Sequence, residues 1–234
     1  MGSVMGAEGP PHSLDDVALR DLCEGDLPAV VPMYRRAFRG GVDDALGDRY
    51  VRALLRWFAQ DVGTVARVAT MEGTPIAFTL GAPYGYRRSL LRSVLPAMAW
   101  CLLTRPWLLL CPRLLAGGGD ADGQSPEPGS VFHFKVLEVE PAWRRGGLAR
   151  IVSDDFVSHV FRAGYRRITA TTLEDNTAVL KLMERVGYRP IDGGRPSPDG
   201  RRVLALDRKP RASLQVERRP SGPARAEKRG EPDR

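Results

Sequence analysis

One stretch constrains the fold of this chain more than any other. An apolar segment, Val131 to Val139, runs into Glu140-Pro141-Ala142-Trp143-Arg144-Arg145-Gly146-Gly147 and out again into a helical pattern that lasts to Ala163. On the helical side Leu148, Ile151, Val152, Asp155, Phe156, His159 and Val160 fall on one stripe at roughly helical spacing. Gly146 and Gly147 allow the backbone to approach a ligand closely, and the first N–H groups of a helix have no partner inside it. Those donors, the helix dipole and the two arginines at 144 and 145 make an anion site.

Other phosphate-binding turns do not fit these residues. No Lys-Ser or Lys-Thr follows the glycines, as a nucleotide P-loop requires, and no spaced glycine triplet is present, as a dinucleotide fold requires. The run resembles instead the acyl-CoA signature of the GNAT superfamily of N-acetyltransferases: arginine or glutamine, two residues, glycine, one residue, then glycine or alanine. Arg144, Gly147 and Ala149 fill those three places.

The resemblance extends to both sides. Val139 and Pro141 match the V-x-P that closes the family's fourth strand, and Ile168 to Leu173 is similar to its fifth. Asn176 to Tyr188, ending in Gly187-Tyr188, resembles the family's closing helix, and Ala18 to Val30 its opening strand and first helix. The match is specific over Val131 to Tyr188 and looser over Val17 to Pro83. It implies an α/β (α+β) GNAT fold: a central mixed, mostly antiparallel twisted sheet flanked by helices, with a helical insert between strands three and four.

The chain's own patterning fits that plan. Val17 to Cys23 reads as a strand, Asp26 to Phe38 as a helix with Asp26 as N-cap and Pro28 in its first turn, and Asp43 to Gln60 as a second helix. Thr64 to Met71 and Pro75 to Leu80 flank Glu72-Gly73-Thr74 as an antiparallel hairpin. Arg166 to Thr172 reads as a strand, Thr177 to Val186 as a helix, and Tyr188 to Ile191 with Arg202 to Leu206 as a last hairpin. The expected organisation is a flexible N-terminus over 1–15, one acetyltransferase domain over 16–207, and a disordered basic tail over 208–234.

With 234 residues, 43% of them hydrophobic, the chain can bury a substantial core. Its net charge of +7 raises the question of nucleic acid, but residues 208–234 hold nine basic and four acidic side chains and so account for five of those charges. Rich in proline and glycine and poor in apolar residues, that segment cannot offset its ordering entropy and reads as a solvated tail, so no nucleic-acid partner is expected. Only Lys135, Lys181, Lys209 and Lys228 are lysines among 35 basic residues, a bias typical of a GC-rich genome. Cys23, Cys101 and Cys111 form no disulfide framework, and none stands at metal-ligand spacing from a histidine, so no metal is expected. The first fifteen residues lack a basic start followed by an apolar stretch, so the expected location is the cytoplasm.

Ser89 to Leu115, within an insert over about 86–115, is strongly apolar but interrupted by Arg92, Arg105 and Arg113 and by Pro96, Pro106 and Pro112. A membrane span needs about twenty uninterrupted apolar residues, so none is expected here. The insert reads as two or three short helices that pack on the sheet or form a homodimer contact. Alternatively they wall an acceptor pocket or acyl-chain channel, or touch a membrane surface. Residues 116–130, rich in Gly, Pro, Asp and Ser, read as a flexible loop.

The family resemblance also implies a chemistry. An amine acceptor must lose a proton before its nitrogen attacks the thioester of acetyl-CoA, the oxyanion needs donors, and the thiolate must leave. In the family the backbone of strand four polarises the thioester carbonyl, which here implies Leu137 to Val139. The implied CoA-binding set is Leu137, Val139, Arg144, Arg145, Gly146, Gly147, Leu148, Ala149, Arg150 and Asn176. Arg145 and Arg150 would lie at the pyrophosphate, and Asn176 at the pantetheine arm besides capping its helix.

Strand alternation puts His133 and Lys135 on the side of Leu137 and Val139, which makes His133 the candidate base; a neutral imidazole suits that role near pH 7. Glu138 and Glu140 are the runners-up, of the wrong parity unless a bulge turns the strand. Where family members often carry an acid tyrosine, seven residues beyond the helix asparagine, this chain has Met183, which has no proton to give. The expected function is acetyl transfer to a primary amine of a small molecule or a protein N-terminus. The rivals are a longer-chain acyltransferase using acyl-CoA or acyl carrier protein, and a non-catalytic acyl-CoA-binding protein.

Overall fold

The computed structural model describes residues 13–110, 130–196 and 202–209. The expected flexible N-terminus up to residue 12, the last part of the insert, the loop 116–129 and the tail from 210 onward lie outside the described residues.

The strands are β1 (Ala18–Asp21), β2 (Val65–Met71), β3 (Thr74–Pro83), β4 (Val131–Val139), β5 (Arg167–Leu173), β6 (Arg189–Pro196) and β7 (Arg202–Arg208). They form one seven-stranded sheet in the order β1-β2-β3-β4-β5-β7-β6. Every neighbouring pair is antiparallel except β4 with β5. The helices are α1 (Leu27–Ala37), α2 (Val42–Leu46), α3 (Asp48–Gln60), α4 (Arg87–Thr104), α5 (Leu148–Arg162) and α6 (Thr177–Val186).

Alternation along the strands assigns the helices to two faces. Val68, Phe78, Leu80 and Val136 are buried with Val30, Tyr34, Leu54, Phe58 and Val94, from α1, α3 and α4. On the reverse face Phe132, Phe134, Ile168 and Ala170 pack with Phe156, Val160, Met183 and Tyr188, from α5, α6 and the residue just before β6. Ala69, Ala77 and Val139 extend that reverse layer against Leu148 and Val152 of α5. Gly81 is needed where the layers meet most tightly, since a Cβ there would come within 2.5 Å of the Phe156 ring and 2.7 Å of the Phe132 ring.

Three sequence expectations change. Asp26 does not cap α1 with its side chain. Its buried carboxylate accepts instead from the Cys23 N–H at 2.9 Å and pairs with Arg20 at 2.6 Å, while Leu27 N–H is already bonded within a 3-10 turn and Pro28 has no N–H to cap. The single helix expected over Asp43 to Gln60 is two, because Gly47 takes φ +82°, outside the helical region. The insert is one continuous helix through Pro96 followed by a 3-10 segment at Pro106–Leu110. Burial of Leu90, Val94, Ala97 and Cys101 holds α4 together across the hydrogen bond that Pro96 removes.

Candidate functional site

The site begins where two parallel strands part. Residues Val131–Phe134 of β4 pair with Arg167–Ala170 of β5, and there the pairing stops although both strands continue, β4 to Val139 and β5 to Leu173. The β5-facing edge of β4 is therefore open over its last five residues. Glu140 N–H donates to Ile76 of β3 at 2.8 Å. Antiparallel alternation then turns the N–H groups of Leu137 and Val139 away from β3, into the opening.

A bulge sets which side chains share this region. Leu80 of β3 lies opposite Val136, but Gly81 lies opposite Phe134, so Lys135 is an extra residue in β4. Beyond it the parity inverts. Leu137 and Val139 join Phe134 on the α5 face, whereas Glu138 turns to α1. The expectation that His133 and Lys135 share a face with Leu137 and Val139 is thereby overturned. His133, whose Nδ1 is 3.3 Å from Thr169 Oγ1, Lys135, stacked over Phe38, and Glu138, bonded to Arg36, occupy the α1 face together.

Glu138 is 12% exposed and is held by two guanidiniums, Arg36 at 3.1 Å and Arg144 at 2.9 Å. Arg36 also pairs with Glu140 at 3.0 Å. Burial opposes charge on Arg36, but its hydrogen bonds with Glu140 and Glu138 outweigh that and hold it more firmly protonated than a free arginine. Arg144 additionally donates from Nε to the Val139 carbonyl at 3.0 Å, so its side chain fastens the turn to the end of β4. Arg36, 102 residues from Glu138 in sequence, gave no local signal.

The turn itself has the form of an anion cradle. Arg145 and Gly147 both have left-handed φ, +69° and +91°, which brings successive N–H groups round to one side ahead of α5. Among the described residues no acceptor meets the backbone N–H of Arg145, Gly146, Gly147, Leu148 or Ala149; the first bonded amides are Arg150 and Ile151, both to the Gly147 carbonyl. The Leu148 side chain is buried with Val152 and Trp143 and anchors the first turn. Arg150 is exposed and reaches Asp154 at 3.6 Å.

Asn176 caps α6, its Oδ1 accepting from Val179 N–H at 3.3 Å. Met183 lies in the core with Phe134, Phe156 and Tyr188. Tyr188 is buried in the same cluster, and burial pushes its hydroxyl well above the ordinary tyrosine range. Among the described residues no group of three or more His, Cys, Asp and Glu side chains is placed to hold a metal ion.

Parted parallel strands, a bulge in the fourth and the amide turn at its end coincide with a match of the sequence model of the Acetyltransferase (GNAT) family to residues 27–188. The chain belongs to the GNAT family. Solved GNAT structures have the same fold as this domain. A GCN5-related N-acetyltransferase from Kribbella flavida superposes with a TM-score of 0.59 at 20% identity, covering 84% of this chain and 99% of that one. A ribosomal-protein-alanine N-acetyltransferase from Brucella melitensis gives 0.56 at 14% identity, over 82% and 99%. A phosphinothricin acetyltransferase from Sinorhizobium meliloti, solved in complex with acetyl-CoA, gives 0.54 at 14% identity, over 83% and 88%. Among curated sequences, the mycothiol acetyltransferase of Geodermatophilus obscurus is 36% identical over 61 residues, 26% of this chain; the matched part spans one fifth of that relative's length.

Proposed function

We propose that this GNAT domain transfers the acetyl group of acetyl-CoA directly to a primary amine, on a small molecule or a protein N-terminus. The observation that carries the reading is the placement of five amides, Arg145 to Ala149, that meet no acceptor among the described residues, at the end of the same strand whose edge opens beyond Phe134. A diphosphate at the turn would accept from those N–H groups at the positive end of α5. The pantetheine arm would then run along the opened edge of β4 as an added strand-like segment, with Asn176 across the opening. That brings the thioester carbonyl to the N–H groups of Leu137 and Val139, which stabilise the oxyanion once nitrogen attacks.

The acceptor enters from the α1 face, where Glu138, Lys135 and His133 sit. In this reading His133 takes the ammonium proton. At about 3.3 Å of rise per residue, four residues of strand place it roughly 10–13 Å from Leu137, so water must relay the proton. Glu138 lies beside the reacting carbonyl, but Arg36 and Arg144 engage its carboxylate, so its role is to attract and orient the incoming ammonium. Nitrogen then attacks the thioester carbon, gives its second proton to water as the tetrahedral adduct collapses, the carbon–sulfur bond breaks, and the thiolate leaves without a tyrosine acid. A thiol of pKa about 8.5 tolerates that with modest loss.

The test is binding of acetyl-CoA, palmitoyl-CoA and free CoA to the purified protein, followed by thiol release with a mixed amine library. Acetyl-CoA binding with release on some amine supports the reading. Preference for palmitoyl-CoA, or no binding of any CoA, overturns it.

A further inference from the structure

The proposed reaction makes no use of α4. The buried side of that helix is accounted for by Leu90, Val94 and Cys101, which pack with α3 and with the sheet. Its outer side is not. Leu91, Leu95, Trp100 and Leu103 of α4 and Trp107 of the 3-10 segment behind it are exposed, Leu103 by 79% and Trp107 by 62%, and at about 100° per residue those on α4 spread, with Arg88 and Arg92 among them, over the half of the helix turned away from the core. Isolated exposed apolar residues are ordinary, but five large ones within seventeen residues, two of them tryptophans, call for an occupant.

Charge identifies that occupant. From Tyr84 to Leu110 the chain carries Arg87, Arg88, Arg92 and Arg105 and no carboxylate. Arg88, Arg92 and Arg105 are exposed, and Arg49 of α3 adds a guanidinium stacked 4.6 Å over the Trp100 ring. At the helix's N-terminal end Asp61 accepts from Ser89. A second copy of this chain meeting the face by two-fold symmetry would set arginines against arginines with no helix carboxylate to pair them. A bilayer rich in anionic phospholipid supplies both halves of the complement: hydrocarbon for leucine and tryptophan side chains, and phosphate for the arginines interspersed among them. Among the described residues no helix is long and apolar enough to cross a membrane, so contact of this kind would be superficial.

We propose that α4 and the 3-10 segment at Pro106–Leu110 dock this protein on the surface of anionic phospholipid bilayers. The experiment is co-flotation of the full chain with phosphatidylcholine vesicles, with and without phosphatidylglycerol. A bromine-labelled lipid quenches the fluorescence of any tryptophan that enters the acyl region. Trp57 and Trp143 are buried, so quenching reports on Trp100 and Trp107.

The expected result is binding to the anionic vesicles that weakens with salt, strong quenching, and a loss of ten-fold or more in both L103E/W107E and R88E/R92E. All four side chains are exposed, so the variants retain the fold, as circular dichroism would verify. Flotation unchanged in these variants, or flotation without quenching, would place any lipid contact elsewhere on the chain and overturn the proposal. Absence of binding at low salt would do the same. So would a solution dimer that L103E/W107E dissociates, because the face would then belong to a second copy.

Discussion

Two residues show how far a side chain's role here depends on what surrounds it. Gly147 is the pivot of the anion turn, with φ +91° and only Leu14 near the position of a Cβ, at 4.0 Å. Any side chain there is strained by about 1–2 kcal/mol in the left-handed region, and a carboxylate would add negative charge beside the turn's amides. Gly147→Glu is therefore expected to lower acetyl-CoA affinity at least 100-fold, with Gly147→Ala much milder; titration calorimetry on both variants checks this, and equal losses would mean that strain alone is responsible. Asp26 presents a different balance. Burial alone would raise its pKa, but hydrogen bonds from Arg20 and Cys23 outweigh burial and hold the carboxyl below the ordinary aspartate range. Because the folded-state value is depressed, its contribution is complete above the unfolded pKa of about 3.9 and disappears as pH falls through the folded value. Asp26→Asn should cost about 1–3 kcal/mol at pH 7 and progressively less below pH 4. Urea melts of both proteins at pH 7 and pH 3 test this, and a pH-independent difference would rule out the ionic account.

At the scale of elements, most of the fold was legible in the sequence and the face of one strand was not. β4 matches its expected bounds, Val131–Val139, and α6 matches Thr177–Val186, because apolar period and flanking turn residues mark both. The bulge at Lys135 left no such mark. Its register depends on Leu80 and Gly81 in another strand, and with one extra residue Glu138 changed sides and joined His133. For the same reason Arg36 could not be foreseen as a partner of Glu138, whereas the cradle at 144–149 could, since its glycines and arginines are contiguous. Gly81 is where β3 adapts to these neighbours. Gly81→Ala would force its methyl into Phe156, Phe132 and the His133 carbonyl, all within 2.7 Å. Overpacking of this kind costs about 1–3 kcal/mol, and here it should also shift the His133 end of β4. The expected outcome is a lower thermal midpoint together with reduced turnover at saturating acetyl-CoA; loss of stability with full turnover would show that the bulge is not mechanically tied to the site.

In the whole molecule the opening divides the sheet. β1 to β4 form one antiparallel block and β5 to β7 another, and the two are joined by strand pairing over Val131–Phe134, by the Arg166 N–H bond to the Ser130 carbonyl and by the Phe134, Phe156 and Tyr188 layer beneath them. Arg67 gives the first block a further tie, binding Asp21 of β1 at 2.6 Å and Asp155 of α5 at 2.7 Å. Among the described residues, hydrogen bonds that join the second block to the first, from Arg166 N–H to the Ser130 carbonyl and from Thr169 Oγ1 to the Phe132 carbonyl and with His133, cluster at the paired end, so opening from the unpaired end should require less free energy than global unfolding. A ligand lying along β4, with its diphosphate at the start of α5 and its arm reaching α6, would span the division and close it. On the proposed function, acetyl-CoA at 100 times its dissociation constant stabilises the fold by about 2.7 kcal/mol, and that gain should be unevenly distributed. Hydrogen exchange should slow most at the amides of Arg145 to Ala149, at Leu137 and Val139, and through Thr171 to Leu173, with β1 and β2 little changed. Slowing spread evenly over all seven strands would indicate that the ligand stabilises the sheet without bridging its two blocks, and the placement of the pantetheine arm in the opening would then be wrong.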